Sequence, residues 1–128
     1  MDRELARADD DTWRIRVVEI AVDGPVLGVE VDGEHHVVEP HRPFAVPGAA
    51  AAVATVPEGA VQVLDVIVDP QVVTPYVTVL ELGRTSALPL AEDQAALVLK
   101  GDGAGGLVVG PSEVTGRCTV AVVTLERR

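Results

Sequence analysis

The chain has 128 residues, of which 48% are hydrophobic and only 2% aromatic, and its formal net charge is −10. This is enough apolar material for the core of one domain. The acidic balance disfavours nucleic acid and anionic membranes as partners, because binding either would need a basic patch. One Trp, one Tyr and one Phe are also too few for a base-stacking platform.

Short apolar runs separated by turn residues follow one another along the chain. Valine dominates these runs, and its β-branched side chain suits a pleated, half-buried surface. The predicted strands are 13–22, 26–31, 34–38, 44–46, 50–56, 60–69, 72–82, 87–90, 95–100, 107–110 and 117–126. This spacing is typical of a sandwich or barrel.

Several local features qualify this succession of strands. Residues 1–11 are polar and acidic, and we expect a tail there, disordered or with one short helical turn, ahead of a β domain over 12–128. Asp32-Gly33 predicts a tight hairpin. A switch of apolar face predicts a bulge near Val17, and Pro75 is expected to break its strand.

The pattern predicts an all-β, single-domain fold, a cupin-like double-stranded β-helix in the form of a β-barrel sandwich. The alternative is an immunoglobulin-like sandwich. That fold usually has a core tryptophan in mid-chain, and Trp13 comes too early for it.

Asp65 is the most informative polar residue of the predicted strands. Both faces of 60–69 are mostly apolar, so this strand is covered on both sides or lines a closed barrel. A charge there must be paired, hydrated or directed at a cavity. Two interpretations remain open: an ion pair with Arg14 or Arg16, or a place in the wall of a ligand cavity.

The three histidines lie in the segment GEHHVVEPHRPFAVPG at 33–48. A metal-binding cupin directs several imidazoles and one carboxylate at a single ion. His35 and His36 are adjacent, so a strand sends them to opposite faces, and no histidine follows His41. We therefore expect no metal and no other cofactor, with His36 as the one imidazole that could face a cavity.

No catalytic residue is predicted. Cys118 lies in the apolar run CTVAVV, where a free cysteine usually acts as a small core residue. The segment GDGAGG at 101–106 is read as a flexible hairpin loop, and neither serine lies in a nucleophile elbow. A single cysteine, no signal-like segment and no long apolar run together lead us to expect a cytoplasmic protein.

Three segments resemble the HutD/Ves family of cupin-like proteins over roughly residues 11–100. The residues that carry the resemblance are Trp13, Arg14, Asp23, Gly24 and Pro25 in the first segment, Arg42, Pro43, Phe44 and Gly48 in the second, and Gly59, Val61 and Val66 in the third. The chain looks like a compact, divergent member of that family. The resemblance implies a regulatory role in histidine utilisation, through sensing or limiting a pathway intermediate.

We therefore expect a non-catalytic protein that binds a small carboxylate between the sheets or at the barrel mouth. Paired arginines suit a carboxylate, and the predicted ligand-binding residues are Arg14, Arg16, His36 and Asp65. The alternative is a structural or interaction protein without a ligand, in which apolar faces are buried in a homodimer. The third hypothesis for the function is a cupin enzyme.

Overall fold

The computed structural model describes residues 2–21, 27–31, 34–38, 44–46, 49–55 and 60–128, with side chains over 3–18 and 63–128. This part of the chain contains only strands, turns and loops, and so no helix able to cross a membrane. The strands are β1 Asp2–Arg7, β2 Trp13–Ala21, β3 Leu27–Val31, β4 Glu34–Val38, β5 Phe44–Val46, β6 Ala49–Thr55, β7 Ala60–Val68, β8 Val73–Leu82, β9 Ala87–Leu90, β10 Gln94–Gly101, β11 Leu107–Val109, β12 Ser112–Thr115 and β13 Cys118–Arg127. The all-β prediction is confirmed.

The strands form two main antiparallel sheets and two hairpin ribbons. One sheet has five strands in the order β1-β2-β7-β6-β5, and the other has four in the order β11-β10-β13-β8. The ribbons pair β9 with β12 and β3 with β4. Val31 faces Glu34 across the β3–β4 ribbon, which confirms the predicted hairpin.

An inner core fills the space between the two main sheets. The five-stranded sheet contributes aliphatic side chains from β2 and β7, and the four-stranded sheet contributes them from β10 and β13. The buried members are Ile15, Leu64, Val66, Val68, Val73, Ala95, Leu97, Ala121, Val123 and Leu125. Residues two apart in a strand share a face, so this set defines the inner face of each sheet.

An outer core covers the other side of the four-stranded sheet. Leu90 and Val114 of the β9–β12 ribbon pack there with Ala96, Val98, Cys118, Val120 and Val122. Strands β10 and β13 are therefore covered on both faces, which is why they read as continuous apolar runs. Cys118 is buried, as predicted, and its thiol donates to the Gly116 carbonyl across 3.5 Å.

The N-terminal segment differs from the expected tail, because β1 pairs with β2 from Asp2 opposite Val18 to Arg7 opposite Arg14. Leu5 packs on the inner core, so one apolar residue anchors an otherwise polar edge strand. The DRELAR pattern concealed this strand because its other side chains are mostly polar or charged.

Two predicted irregularities are also corrected. The register between β2 and β7 runs without a shift past Val17, and the bulge lies in β1 between Glu4 and Ala6. Pro75 does not break β8, which pairs with β13 over its whole length, with Pro75 opposite Leu125. A proline is tolerated there because β8 is an edge strand of its sheet.

The glycine-rich segment joins β10 to β11, as the hairpin prediction required. Gly101, Gly103 and Gly105 have φ values of 98°, 79° and 89°. These left-handed conformations favour glycine over any residue with a Cβ. Within the loop, the Gly105 amide donates to the Val98 carbonyl across 2.8 Å, so the turn is hydrogen-bonded across its base.

Candidate functional site

The structure brings together two of the four sequence-predicted ligand-binding residues. Arg16 and Asp65 face each other across β2 and β7. Nε and Nη2 of Arg16 each lie 2.9 Å from Oδ2 of Asp65, with the two side chains 33% and 21% exposed. Both lie on the face of their sheet that points away from the inner core, because Ile15 and Leu64 occupy the inner face. Of the two interpretations of Asp65, the ion pair is the one observed.

The other two predicted residues are not joined to this pair by any described contact. Arg14 is exposed on the same outer face and lies opposite Ile67. His36 lies opposite Val29 in the β3–β4 ribbon, and its side chain is outside the described part of the chain. His41 also falls outside the described residues. A ligand-binding role for these residues stays a prediction.

A polar row lies at one end of the inner face of the four-stranded sheet. Thr119 pairs with Lys100 on one side and with Glu81 on the other, so the row crosses β10, β13 and β8. Thr119 stands two residues before Ala121 of the inner core, and Glu81 stands two residues after Val79, which packs on that core. The row is therefore where the apolar interior gives way to polar side chains.

A bulge places Lys100 in this row. The register between β10 and β13 shifts between Val98 and Lys100. Val98 pairs with Val120 and Lys100 pairs with Thr119, so Leu99 is the extra residue on β10. A bulge redirects the side chains that follow it. Lys100 is thereby aligned with Thr119, on the strand face that Leu97 and Leu99 also use.

The row lines a cleft of about 530 Å³, which we call the sheet-end cleft. Its volume lies within the range of small-molecule sites. The residues that line it are Glu81, Leu82, Arg84, Lys100, Gly101, Asp102, Arg117, Cys118 and Thr119. Three cations and two carboxylates therefore surround one hollow, in a chain whose acidic residues outnumber its basic ones by 20 to 10.

The cations of the cleft make no ion pair within 4.0 Å among the described residues. The ion pairs of the described residues join Arg7 to Glu4 and Asp11, Arg16 to Asp65, and Arg127 to Asp10. Among the described residues, no ion pair or side-chain hydrogen bond engages Arg84, Lys100 or Arg117. These donors are available to an anion.

Thr119 gives the cleft a buried polar group. Its residue exposure is 9%, and it is the one polar residue among the buried side chains of the described part. The Thr119 hydroxyl has no hydrogen-bond partner among the described residues. No described side-chain oxygen or nitrogen is both fully buried and without a partner, so this hydroxyl is open to solvent. Because solvent reaches this hydroxyl, water or a ligand in the cleft can be its hydrogen-bond partner.

The cationic side chains of the cleft are of a kind that suits an anion. Lysine and arginine donors recognise carboxylates through charge-assisted hydrogen bonds, and the threonine hydroxyl adds a neutral donor and acceptor. Within the described residues, no group of three or more histidine, cysteine or acidic side chains is arranged to hold a metal.

The sequence-based interpretation missed this cleft. Glu81, Lys100 and Thr119 are far apart in the chain, and only the register of three strands aligns them. The one available signal was Thr119 itself, a polar residue within the apolar run CTVAVV. That signal is weak, because threonine is also common in strands.

The two packed antiparallel sheets define an all-β sandwich with a cleft at one end. A conserved protein of unknown function from Pseudomonas aeruginosa PAO1, PA5104, has a similar structure: the TM-score is 0.63 at 14% identity, covering 99% of this chain and 91% of that one. HutD from Pseudomonas fluorescens SBW25 gives a TM-score of 0.58 at 16% identity, covering 99% and 88%. These similarities confirm the predicted fold.

The chain belongs to the HutD family. The family model named HutD matches residues 16–110, which is most of the chain. The search of curated proteins found no match to this chain. The predicted family resemblance is therefore confirmed.

Proposed function

We propose that this HutD-family protein is a non-catalytic binder of a small carboxylate metabolite, acting in the cytoplasm in a regulatory role linked to histidine utilisation. The observation that carries the proposal is the sheet-end cleft, where Lys100 and Arg117 have no ion-pair partner and the Thr119 hydroxyl has no hydrogen-bond partner among the described residues. Membership of the HutD family supports the link to histidine utilisation, which the sequence resemblance implies.

The cleft favours binding over catalysis. It combines anion-binding donors with a buried hydroxyl, but the hydroxyl of Thr119 has no base within hydrogen-bond distance in the described structure. Cys118 also lines the cleft, and its thiol is directed at the Gly116 carbonyl. This arrangement holds an anion without providing an activated nucleophile.

The test is calorimetric titration and thermal shift with a panel of small carboxylates that includes urocanate and formylglutamate. We expect at least one to bind, and Lys100→Gln to weaken that binding about tenfold, the size of one charge-assisted hydrogen bond. Thr119→Val keeps the side-chain volume and removes the hydroxyl, and it is expected to weaken binding about fivefold. Arg3→Gln, an exposed cation on β1, is the matched control and should leave affinity unchanged.

Two results would contradict the proposal. One is a panel in which no carboxylate binds. The other is loss of binding in Arg14→Gln or Arg16→Gln while Lys100→Gln binds normally. That second result would move the site to the outer face of the five-stranded sheet, where the structure places the sequence-predicted Arg14 and Arg16.

A homodimer is the second candidate, and one feature favours it. Tyr76 and Leu80 are 50% and 37% exposed on β8, opposite Thr124 and Val120 and thus on the outer face of that edge strand. Light scattering of the full chain checks this directly. A dimer that Leu80→Lys converts to a monomer supports the second candidate, and a monomeric wild type removes it.

A further inference from the structure

We infer that the ligand of the sheet-end cleft is a zwitterion, which presents a carboxylate to Lys100 and a protonated amine to Glu81. This inference rests on the proposed function, since it assigns the class of carboxylate that the same cleft accepts. It goes beyond that function because a simple carboxylate would use only the cationic part of the cleft.

Opposite charges flank the buried hydroxyl. Lys100 on β10 and Glu81 on β8 are both aligned with Thr119, one on either side. Two strand spacings separate their backbones, which is about 10 Å. Both side chains are exposed and line the cleft, and neither makes an ion pair within the described structure. A small molecule above Thr119 would therefore lie between Lys100 and Glu81, in a cleft that Arg84, Arg117 and Asp102 also line.

The position of Glu81 disfavours a ligand with negative charge only. A carboxylate held at Lys100 would approach Glu81, and like charges at such distances repel. An amine on the ligand converts this repulsion into attraction, and its N–H groups are donors that suit the Glu81 carboxylate. Thr119, which can donate and accept, is suited to contact either group of the ligand.

The experiment compares amino acids with matched acids that lack the amine. The pairs are L-glutamate with glutarate, L-leucine with 4-methylpentanoate, and L-phenylalanine with 3-phenylpropanoate, each titrated calorimetrically into the full chain. We expect at least one amino acid to bind at least about fivefold more tightly than its partner. Glu81→Gln should abolish that preference. Glu113→Gln, an exposed acid on β12 outside the cleft, is the matched control and should retain it.

The outcomes separate this inference from the proposed function. If both members of every binding pair bind equally, or if Glu81→Gln retains the preference, the zwitterion inference is wrong and the carboxylate site stands. If no member of any pair and no carboxylate of the wider panel binds, both fall. Glu81 is exposed, so its replacement by glutamine should leave the fold intact, which circular dichroism checks.

Discussion

Replacing Asp65 by asparagine tests whether the Arg16–Asp65 pair stabilises the fold. Both contacts of the pair converge on one carboxylate oxygen at 2.9 Å, and the side chains are 21% and 33% exposed. A fully exposed pair contributes about 0.2–1 kcal/mol, and breaking a buried one costs about 3–5 kcal/mol. This pair lies between those limits, so we expect Asp65→Asn to lower the free energy of unfolding by about 1–2 kcal/mol.

The assay is urea unfolding of the wild type, Asp65→Asn, Arg16→Gln and the double variant. The cycle should give a coupling energy of about 1 kcal/mol. Arg16→Gln alone should cost more than Asp65→Asn, because Arg16 has a further interaction besides this pair. Arg14→Gln, an exposed arginine on the same face, is the control and should change stability by less than about 0.5 kcal/mol.

A coupling energy below about 0.3 kcal/mol would refute the reasoning, because it would mean that the pair is no stronger than a weak surface contact. An Arg14→Gln variant as unstable as Asp65→Asn would refute it too. In that case the effect would come from general charge balance on this face and not from the geometry of the pair.

Two further predictions concern the turns. Gly101→Ala should lower stability by more than about 2 kcal/mol, because φ is +98° and the new Cβ would lie 2.5 Å from the Arg117 carbonyl oxygen. Gly103→Ala, at φ +79° with open space around it, should cost only about 1 kcal/mol when both variants are measured by urea unfolding. Equal losses in the two variants would contradict the steric argument. Hydrogen bonds from the Thr12 side chain and backbone, and from Arg127, lower the pKa of Asp10. The stability that this carboxylate contributes is therefore present above the ordinary aspartate pKa and is lost as the pH falls through the lower folded value. Thr12→Val should raise the Asp10 midpoint in a carbon-13 NMR titration, and an unchanged midpoint would contradict this assignment.

The sequence was sufficient for most strands because their apolar runs are bounded by glycine and proline. β4, β5 and β9 have the predicted bounds, and β7 differs from its prediction by one residue. β1 and β12 were missed because each presents mostly polar side chains and contributes only one or two to a core. Their pairing depends on neighbouring strands, which local pattern does not report.

The site was harder to predict than the fold because it depends on register. Asp65 was correctly singled out as a charged residue in an apolar strand. The alternation of side chains along β7 could not tell which face is the inner one, because both faces are mostly apolar. The cleft requires Thr119 to meet Lys100 through a bulge and Glu81 through an unbroken ladder. Neither the bulge nor the strand order can be read from composition or spacing.

The central position of β13 has a consequence for how the protein is made. β13 lies between β8 and β10 and is later in the chain than both. While the nascent chain is still on the ribosome, those two strands are synthesised without the strand that joins them, and their apolar side chains lack their final cover. Assembly of the four-stranded sheet, and of the cleft at its end, must therefore wait until residues 118–127 have been translated and have left the exit tunnel.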